Sequence, residues 1–404
     1  MKTPYYLFYA DDFILNYIDL EKAFTNIYPF YRVAYSFKTN YTPAVCKLVF
    51  ELGGYAEVVS DMEYEIARRI GFPTTKIIYN GPQKGVYLEE SILKGGILNI
   101  DNFREINIIC KLGAIHKGLT VGLRVNFDIG NGLHSRFGID AYSGDLEKAI
   151  KLLNEYNVRI SGVHFHISRA RGIEAWKKRI DKILLIADKI EEIQGKLIEY
   201  IDIGSGMFGV LPEELKNQFD NVPTYQEYAQ VVAGAMAKHY NGRKKKPCLF
   251  TEPGTTLVSK YFSLYATVLD IKEIRNKSFA LLDCSVHNAG EICSLKKVPL
   301  SVIKNAGEEN YYKSIDLVGY TCLEQDVIYH NFDGSIGVND IIEFKNVGGY
   351  SIVDKPPFIY PDIPVYMLKE NKLFCVKRAQ TVDDIFAPYF FKEVGINETD
   401  YSST

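Results

Sequence analysis

The sequence has no Cys-x-x-C pair, no uninterrupted apolar run approaching about 18 residues, and no block of basic side chains. Each absence excludes a class of function. The seven cysteines, at 46, 110, 248, 284, 293, 322 and 375, are odd in number and scattered through apolar runs, as in a reducing cytoplasm. Without a long apolar run no membrane span is expected. Met1 to Ala10 is apolar but short, and Asp11-Asp12 follows at once, so it does not read as a signal peptide. A formal charge of -3 and a pI near 6.2 recommend neither nucleic acid nor an anionic membrane as partner, and leave small solutes. No repeat and no low-complexity tract stands out, and Asn397 to Thr404 reads as a loose polar tail. What is present is length: 404 residues predict two domains with ample core.

From Tyr31 to Gly254 short apolar strands alternate with longer amphipathic segments. The expected strands are Arg32 to Phe37, Tyr55 to Ser60, Lys76 to Asn80, Ile97 to Ile100, Gly122 to Phe127, Arg159 to His166, Tyr200 to Gly204 and Cys248 to Glu252. Helical periodicity fills intervals such as Asp61 to Ile70, Asp101 to Lys117, Gly144 to Tyr156, Ile173 to Gln194 and Thr224 to His239. Eight βα units in about 220 residues match an α/β fold of the (β/α)8 TIM-barrel type, which typically takes about 250; an open doubly wound sheet is the competitor. Barrels gather chemistry at the C-terminal ends of their strands, and Lys38, Ser60, His166, Gly204-Ser205-Gly206 and Glu252 all fall there. After Lys260 long alternating runs, among them Tyr261 to Ile274 and Lys372 to Arg378, predict an all-β second domain. The expected division is a barrel over 16–258 and a β-rich, barrel-like domain formed by 259–404 together with 1–15, Tyr5 to Tyr9 adding a strand to it.

These strand-end residues each allow two readings. Lys38 is a surface lysine, or an amine held out of bulk water that loses its proton easily and can form a Schiff base. Gly204-Ser205-Gly206 is a tight turn, or a loop whose backbone N–H groups cradle a phosphate; no Gly-Lys-Ser/Thr follows, so it is not a nucleotide P-loop. His164 and His166 share one face of a strand. A metal there would want further ligands at neighbouring strand ends, and the other five histidines do not sit there, so none is expected. Glu252 ends its strand in apolar surroundings and needs a positive or proton-donating partner, either an arginine or a protonated pyridine nitrogen.

Lysine after the first strand, imidazole after the sixth, a glycine turn after the seventh and a carboxylate after the eighth together suit pyridoxal 5'-phosphate. In these motifs and their order, from about Thr3-Pro4 to Asp384, the sequence resembles the fold type III (alanine-racemase-fold) pyridoxal-phosphate decarboxylases, the diaminopimelate and ornithine decarboxylase group. The resemblance implies that Lys38 binds the cofactor and that Ser60, between Glu57 and Glu63, lies near it. It also implies that His166 stacks on the ring, that Gly204, Ser205 and Gly206 hold the phosphate with Tyr350, and that Glu252 partners the pyridine nitrogen. Cys322 and Asp326 align with a cysteine and an acid lent across a dimer interface, so a cytoplasmic homodimer with shared active sites is implied, Cys322 reprotonating the α-carbon. Racemases of this fold usually carry arginine where Glu252 stands. A carboxylate keeps the ring protonated and an electron sink, which favours loss of the α-carboxylate over racemisation or epimerisation. Lys38 argues against a non-catalytic homologue.

The departures from the family pattern carry information too. Relatives commonly continue Glu-Pro-Gly with an arginine that holds the phosphate, but this chain has Thr255; where they have Gly-Ser after the histidine strand it has Ser168-Arg169. Arg169 is therefore expected to supply the missing phosphate charge. Leu323 follows Cys322 where the amino-acid decarboxylases have an acid for the far amino group of a diamine-type substrate. Free diaminopimelate, ornithine and lysine are accordingly not the expected substrates. An amino acid or a conjugate from a siderophore or other natural-product pathway is, with Lys296 or Lys297 near a substrate carboxylate.

Overall fold

The computed structural model describes residues 1–290, 292–305, 310–355 and 357–389; the tail at 397–404 lies outside the described residues. Strand β1 (Tyr5–Tyr9) and the helix Ala10–Thr25 precede the first barrel strand, β2 (Tyr31–Ser36). The next strands are β3 (Tyr55–Val58), β4 (Ile77–Tyr79), β5 (Ile97–Ile100), β6 (Thr120–Asn126), the short β7 (Ile139–Asp140), β8 (Arg159–His164), β9 (Tyr200–Asp202) and β10 (Cys248–Thr251). They pair in parallel in the order β5-β4-β3-β2-β10-β9-β8-β6, and β5 also pairs with β6, which closes the ring; β7 hangs from β6. Closure decides against the open doubly wound sheet.

The period of two along each strand sorts side chains between the lumen and the helical shell. In β2, Tyr31, Val33 and Tyr35 pack with the helices in the main core, whereas Ala34 turns inward with Ile78, Tyr200 and Phe250. The sequence also sets the helix starts. The Ser60 hydroxyl accepts the Glu63 N–H at 3.2 Å ahead of the helix Asp61–Ile70, and Asn102 accepts the Glu105 N–H at 3.1 Å ahead of Phe103–Ile115. Thr224 and Glu227 form a reciprocal capping box ahead of Tyr225–His239.

The second sheet contains β11 (Phe262–Ile274), β12 (Lys277–Leu282), β13 (Leu300–Ile303), β14 (Asn310–Val318), β15 (Val327–Ile336), β16 (Ile341–Lys345), β17 (Val365–Lys369) and β18 (Lys372–Lys377). Its order is β15-β14-β12-β11-β1-β17-β18, with β16 pairing β11 and β13. The N-terminal β1 thus lies between an antiparallel β11 and a parallel β17. Short helices accompany the sheet: Val286–Ala289 and Ile292–Leu295 lie between β12 and β13, and Val382–Phe386 follows β18. Ser285 and Asn288 explain the first of these, each bonding the other's backbone N–H in a capping pair that strand alternation does not reveal.

Candidate active site

The barrel lumen changes from apolar to polar along its axis. Its floor is the Ala34, Ile78, Tyr200 and Phe250 cluster. The Tyr200 ring fits because two facing strands carry glycine: a Cβ on Gly162 would stand 2.3 Å from the ring and one on Gly122 2.0 Å from its hydroxyl. The hydroxyl donates to Asn99 Oδ1 at 2.7 Å, and Asn99 Nδ2 donates to Asn80 Oδ1 at 2.8 Å. Asn80 Nδ2 then forks to Glu57 Oε1 at 3.0 Å and Glu252 Oε1 at 2.5 Å. A hydrogen-bonded ladder so runs from the sealed floor to two buried carboxylates at the strand ends.

Lys38 lies in the turn Phe37–Thr39 directly after β2, its amine 2.6 Å from Glu57 Oε2, which also accepts the Ser36 hydroxyl at 2.5 Å. The expected easy loss of its proton is overturned. Burial does favour the neutral amine, but Glu57 and Glu252 outweigh it and raise the pKa above the usual lysine range. Glu252, 3% exposed, has His164 Nε2 3.4 Å from Oε2. Burial opposes its ionisation; the His164 imidazole and Lys38 win, and its pKa lies well below the ordinary carboxylate value. The adjacent Asp202 is pushed the other way, by burial and by Glu252, so it favours the protonated form. His164, Asp202 and Glu252 together have the donor set of a small metal site. The lysine and the hydrogen-bonded ladder converge on the same carboxylate, however, and they account for its charge without an ion.

Past β8 the chain turns, and His166 stands in the loop rather than at the strand end. Its Nδ1 accepts the Ser205 N–H at 3.2 Å, which leaves any ring proton on Nε2. Burial and then Lys38 depress its pKa, so the imidazole is neutral at pH 7. Gly204 has φ +66, and a Cβ there would stand 2.7 Å from the Phe165 carbonyl and 2.8 Å from His166 Cβ; the seat of the imidazole needs glycine at 204. Lys38, His166, Arg169, Ser205, Gly206, Glu252, Thr255 and Tyr350 line one cleft of about 430 Å³. The Gly206 N–H makes no hydrogen bond to the described protein. A flat imidazole, a glycine loop with a free amide, an amine and an anionic carboxylate fit an aromatic aldehyde bearing a phosphate.

The second domain closes this cleft. The Tyr350 N–H donates to the Thr39 carbonyl at 2.9 Å, tying its loop to the residue after Lys38. Three expected site residues do not line the cleft of their own chain, as the expectation of a shared dimer site already implied for Cys322 and Asp326. Ser60 is not a lining residue; its hydroxyl serves as the helix cap. Cys322 is exposed and does not line the cleft of its own chain. Asp326 is buried and its carboxylate is in use, accepting from the Val286 N–H at 2.7 Å, the Ser285 hydroxyl at 3.1 Å and the Thr321 N–H at 3.1 Å. It shapes the loop that presents Cys322. Lys296 donates to the Gln218 carbonyl at 2.7 Å and is likewise taken. The sequence reading overlooked Asn80, Asn99, Arg124 and Arg179. Arg124, paired with Asp101 at 3.3 Å, interrupts an apolar strand with one charge, a signal that was legible; the two asparagines give none.

Residues 16–259 match the family model described as the pyridoxal-binding domain of pyridoxal-dependent decarboxylases, and 255–348 match the C-terminal sheet domain of the same enzymes. Among curated relatives, the diaminopimelate decarboxylase of Bacteroides thetaiotaomicron is 28% identical over 367 residues, covering 87% of this chain and 91% of the relative. That of Methanocaldococcus jannaschii is 26% identical over 408 residues, covering 95% and 90%. The M. jannaschii enzyme in complex with L-lysine superposes with a TM-score of 0.81 at 26% identity, covering 95% of this chain and 91% of that one. An arginine decarboxylase of Paramecium bursaria Chlorella virus shares the fold alone, with a TM-score of 0.76 at 19% identity over 91% and 96% of the two chains.

Proposed function

The chain belongs to the pyridoxal-dependent decarboxylases, in the fold type III group of the diaminopimelate and ornithine enzymes, and from that premise we propose that it removes the α-carboxylate of an amino acid whose side chain is conjugated or modified. Its cofactor is pyridoxal 5'-phosphate and its reaction class amino-acid decarboxylation. When bound, the cofactor supplies the electron sink that accepts the bonding pair as carbon dioxide departs.

In this reading Lys38 would bind the cofactor's aldehyde, His166 would face its ring, and Gly204, Ser205, Gly206, Arg169 and Tyr350 would hold its phosphate. Glu252 would keep the pyridine nitrogen protonated. The observation that carries the proposal is the placement of Glu252: a buried carboxylate lining the lysine's own cleft, with Asn80 Nδ2 2.5 Å from one oxygen and His164 Nε2 3.4 Å from the other. An anion there favours the fully protonated ring that decarboxylation needs.

Cys322 delivers a proton to the α-carbon, and Asp326 positions it through the loop 319–326. Because Cys322 is exposed and absent from its own chain's cleft, it serves a second copy, in a homodimer with shared sites. A cytoplasmic location belongs to the same reading and is supported by seven free cysteines. Among the described residues no helix is long and apolar enough to cross a membrane. Leu323, next to Cys322, places a hydrocarbon where a diamine-type substrate would want an anion, which points away from free diaminopimelate, ornithine and lysine and toward a conjugate. The test is carbon dioxide release by the purified protein from a panel of amino acids and side-chain conjugates. Release from the conjugates ahead of the free diamines is expected; equal or preferential turnover of free diaminopimelate would refute the substrate assignment.

A further inference from the structure

Arg179 lies in the helix Ile173–Gln194, fully buried, and its guanidinium reaches back under both loops of the cofactor cradle. One terminal nitrogen donates to the Ser205 carbonyl at 2.8 Å. The other donates to Ile167 at 3.1 Å and Ala170 at 2.6 Å. Among the described residues no carboxylate pairs with it, and its Nε has no partner. Its neighbours are three carbonyl dipoles and the Trp176 ring, 4.7 Å away; burying a cation without an anionic partner is expensive, and most proteins place a carboxylate beside such a group. Burial pulls its pKa down to about 10, which still leaves it charged at pH 7. Its charge is felt in the site, being one of those that disfavour protonation of His166.

Opposite, the turn after β10 carries Thr255, which has no charge to offer. Arg169 and Arg171 line the cleft but are exposed, so solvent and salt screen them. We propose that Arg179 is a positioning residue and the buried countercharge for the cofactor's phosphate: it ties the Ile167–Ala170 and Gly204–Gly206 loops together from beneath and supplies the fixed positive charge that position 255 lacks. This rests on the cofactor assignment above but not on the identity of the substrate.

The test is equilibrium binding to cofactor-free protein, comparing pyridoxal 5'-phosphate with pyridoxal. It is read by the visible absorbance of the bound aldehyde and by the fluorescence of the single tryptophan, Trp176, whose ring lies 4.7 Å from the Arg179 guanidinium. At an effective dielectric of about 20, one charge a side-chain layer away changes a binding constant by roughly 10- to 100-fold. Arg179→Met is expected to weaken pyridoxal 5'-phosphate by that factor while changing pyridoxal by less than about 3-fold. Adding Thr255→Arg to that variant is expected to restore the preference for the phosphate ester by moving the charge to the other side of the cradle. Equal weakening of both ligands, or no recovery with Thr255→Arg, would mean that Arg179 is only a mechanical tie and would overturn the proposal. Should Arg179→Met not fold, Arg179→Lys decides: a retained preference for the phosphate ester upholds the countercharge, and a lost one overturns it. Phosphate-selective binding without carbon dioxide release would sink the decarboxylase reading and leave this one standing.

Discussion

At the residue scale, the chemistry turns on how charges are shared among a few buried groups. Lys38 is held as an ammonium by Glu57 and Glu252, so in the proposed role its uptake of the aldehyde must wait for the neutral amine. Neutralising the nearer carboxylate should ease that step. Glu57→Gln is expected to shift the pH dependence of cofactor uptake, followed by stopped-flow absorbance, toward lower pH; an unchanged profile would show that Glu57 does not hold the proton. Glu63 offers a second, separable test. Burial raises its pKa to about 7 from an ordinary 4.5, with the Val59 N–H pulling the other way. Its folded-state carboxyl keeps a proton that the unfolded chain releases near 4.5, so the stability it contributes is complete below that pH and is lost as pH rises through about 7. The loss amounts to roughly 3 kcal/mol at about 1.4 kcal/mol per unit. Denaturant titrations of Glu63→Gln should lack this decline. At Leu323, an acid would restore a charge-assisted contact worth about 1.5 to 3 kcal/mol. Leu323→Asp is therefore expected to raise kcat/KM for free diamine-type amino acids by about 10-fold or more, and no gain would exclude this residue as a specificity determinant.

At the scale of single elements, the glycines on β6 and β8 matter as much as the polar residues above them. They admit Tyr200 across the lumen, and the Tyr200 hydroxyl is the lowest rung of the ladder that reaches Glu252. Gly162→Ala would force that ring aside. Overpacking of this kind costs about 1 to 3 kcal/mol, so a lowered Tm is expected together with weaker cofactor binding, as the asparagines above lose their registry. A lowered Tm with intact binding would show that the ladder does not depend on its floor. The loop 319–326 is held in a similar way: Asp326 uses both carboxylate oxygens on neighbouring backbone and hydroxyl groups and so fixes the loop that carries Cys322.

At the scale of the whole molecule, the cleft is completed by two domains and, in the proposed dimer, by a second chain. If Cys322 serves the partner's site, subunits inactivated at Lys38 and at Cys322 should complement each other. Mixed dimers of Lys38→Ala and Cys322→Ala are expected to recover about a quarter of the sites, since half of randomly paired dimers are mixed and each has one intact site. Mixing that recovers no activity under conditions where subunits exchange would place Cys322 in its own chain's site or remove it from the chemistry.

The sequence by itself determined the barrel and which groups stand at or just beyond the ends of four of its strands, because hydrophobic period, capping residues and short motifs are local and survive without neighbours. Lys38, His166, Gly204 and Glu252 were legible for that reason. Only the tertiary structure decided what those groups do to one another. Whether Lys38 is charged depends on carboxylates 19 and 214 positions away along the chain; that Ser60 is a cap, that Asp326 is engaged and that Arg179 lies beneath the cradle without a carboxylate depend on distances that no linear pattern encodes. Electrostatics in a low-dielectric interior act through space, and the closing of the strands into a ring is what brings these residues within reach of each other.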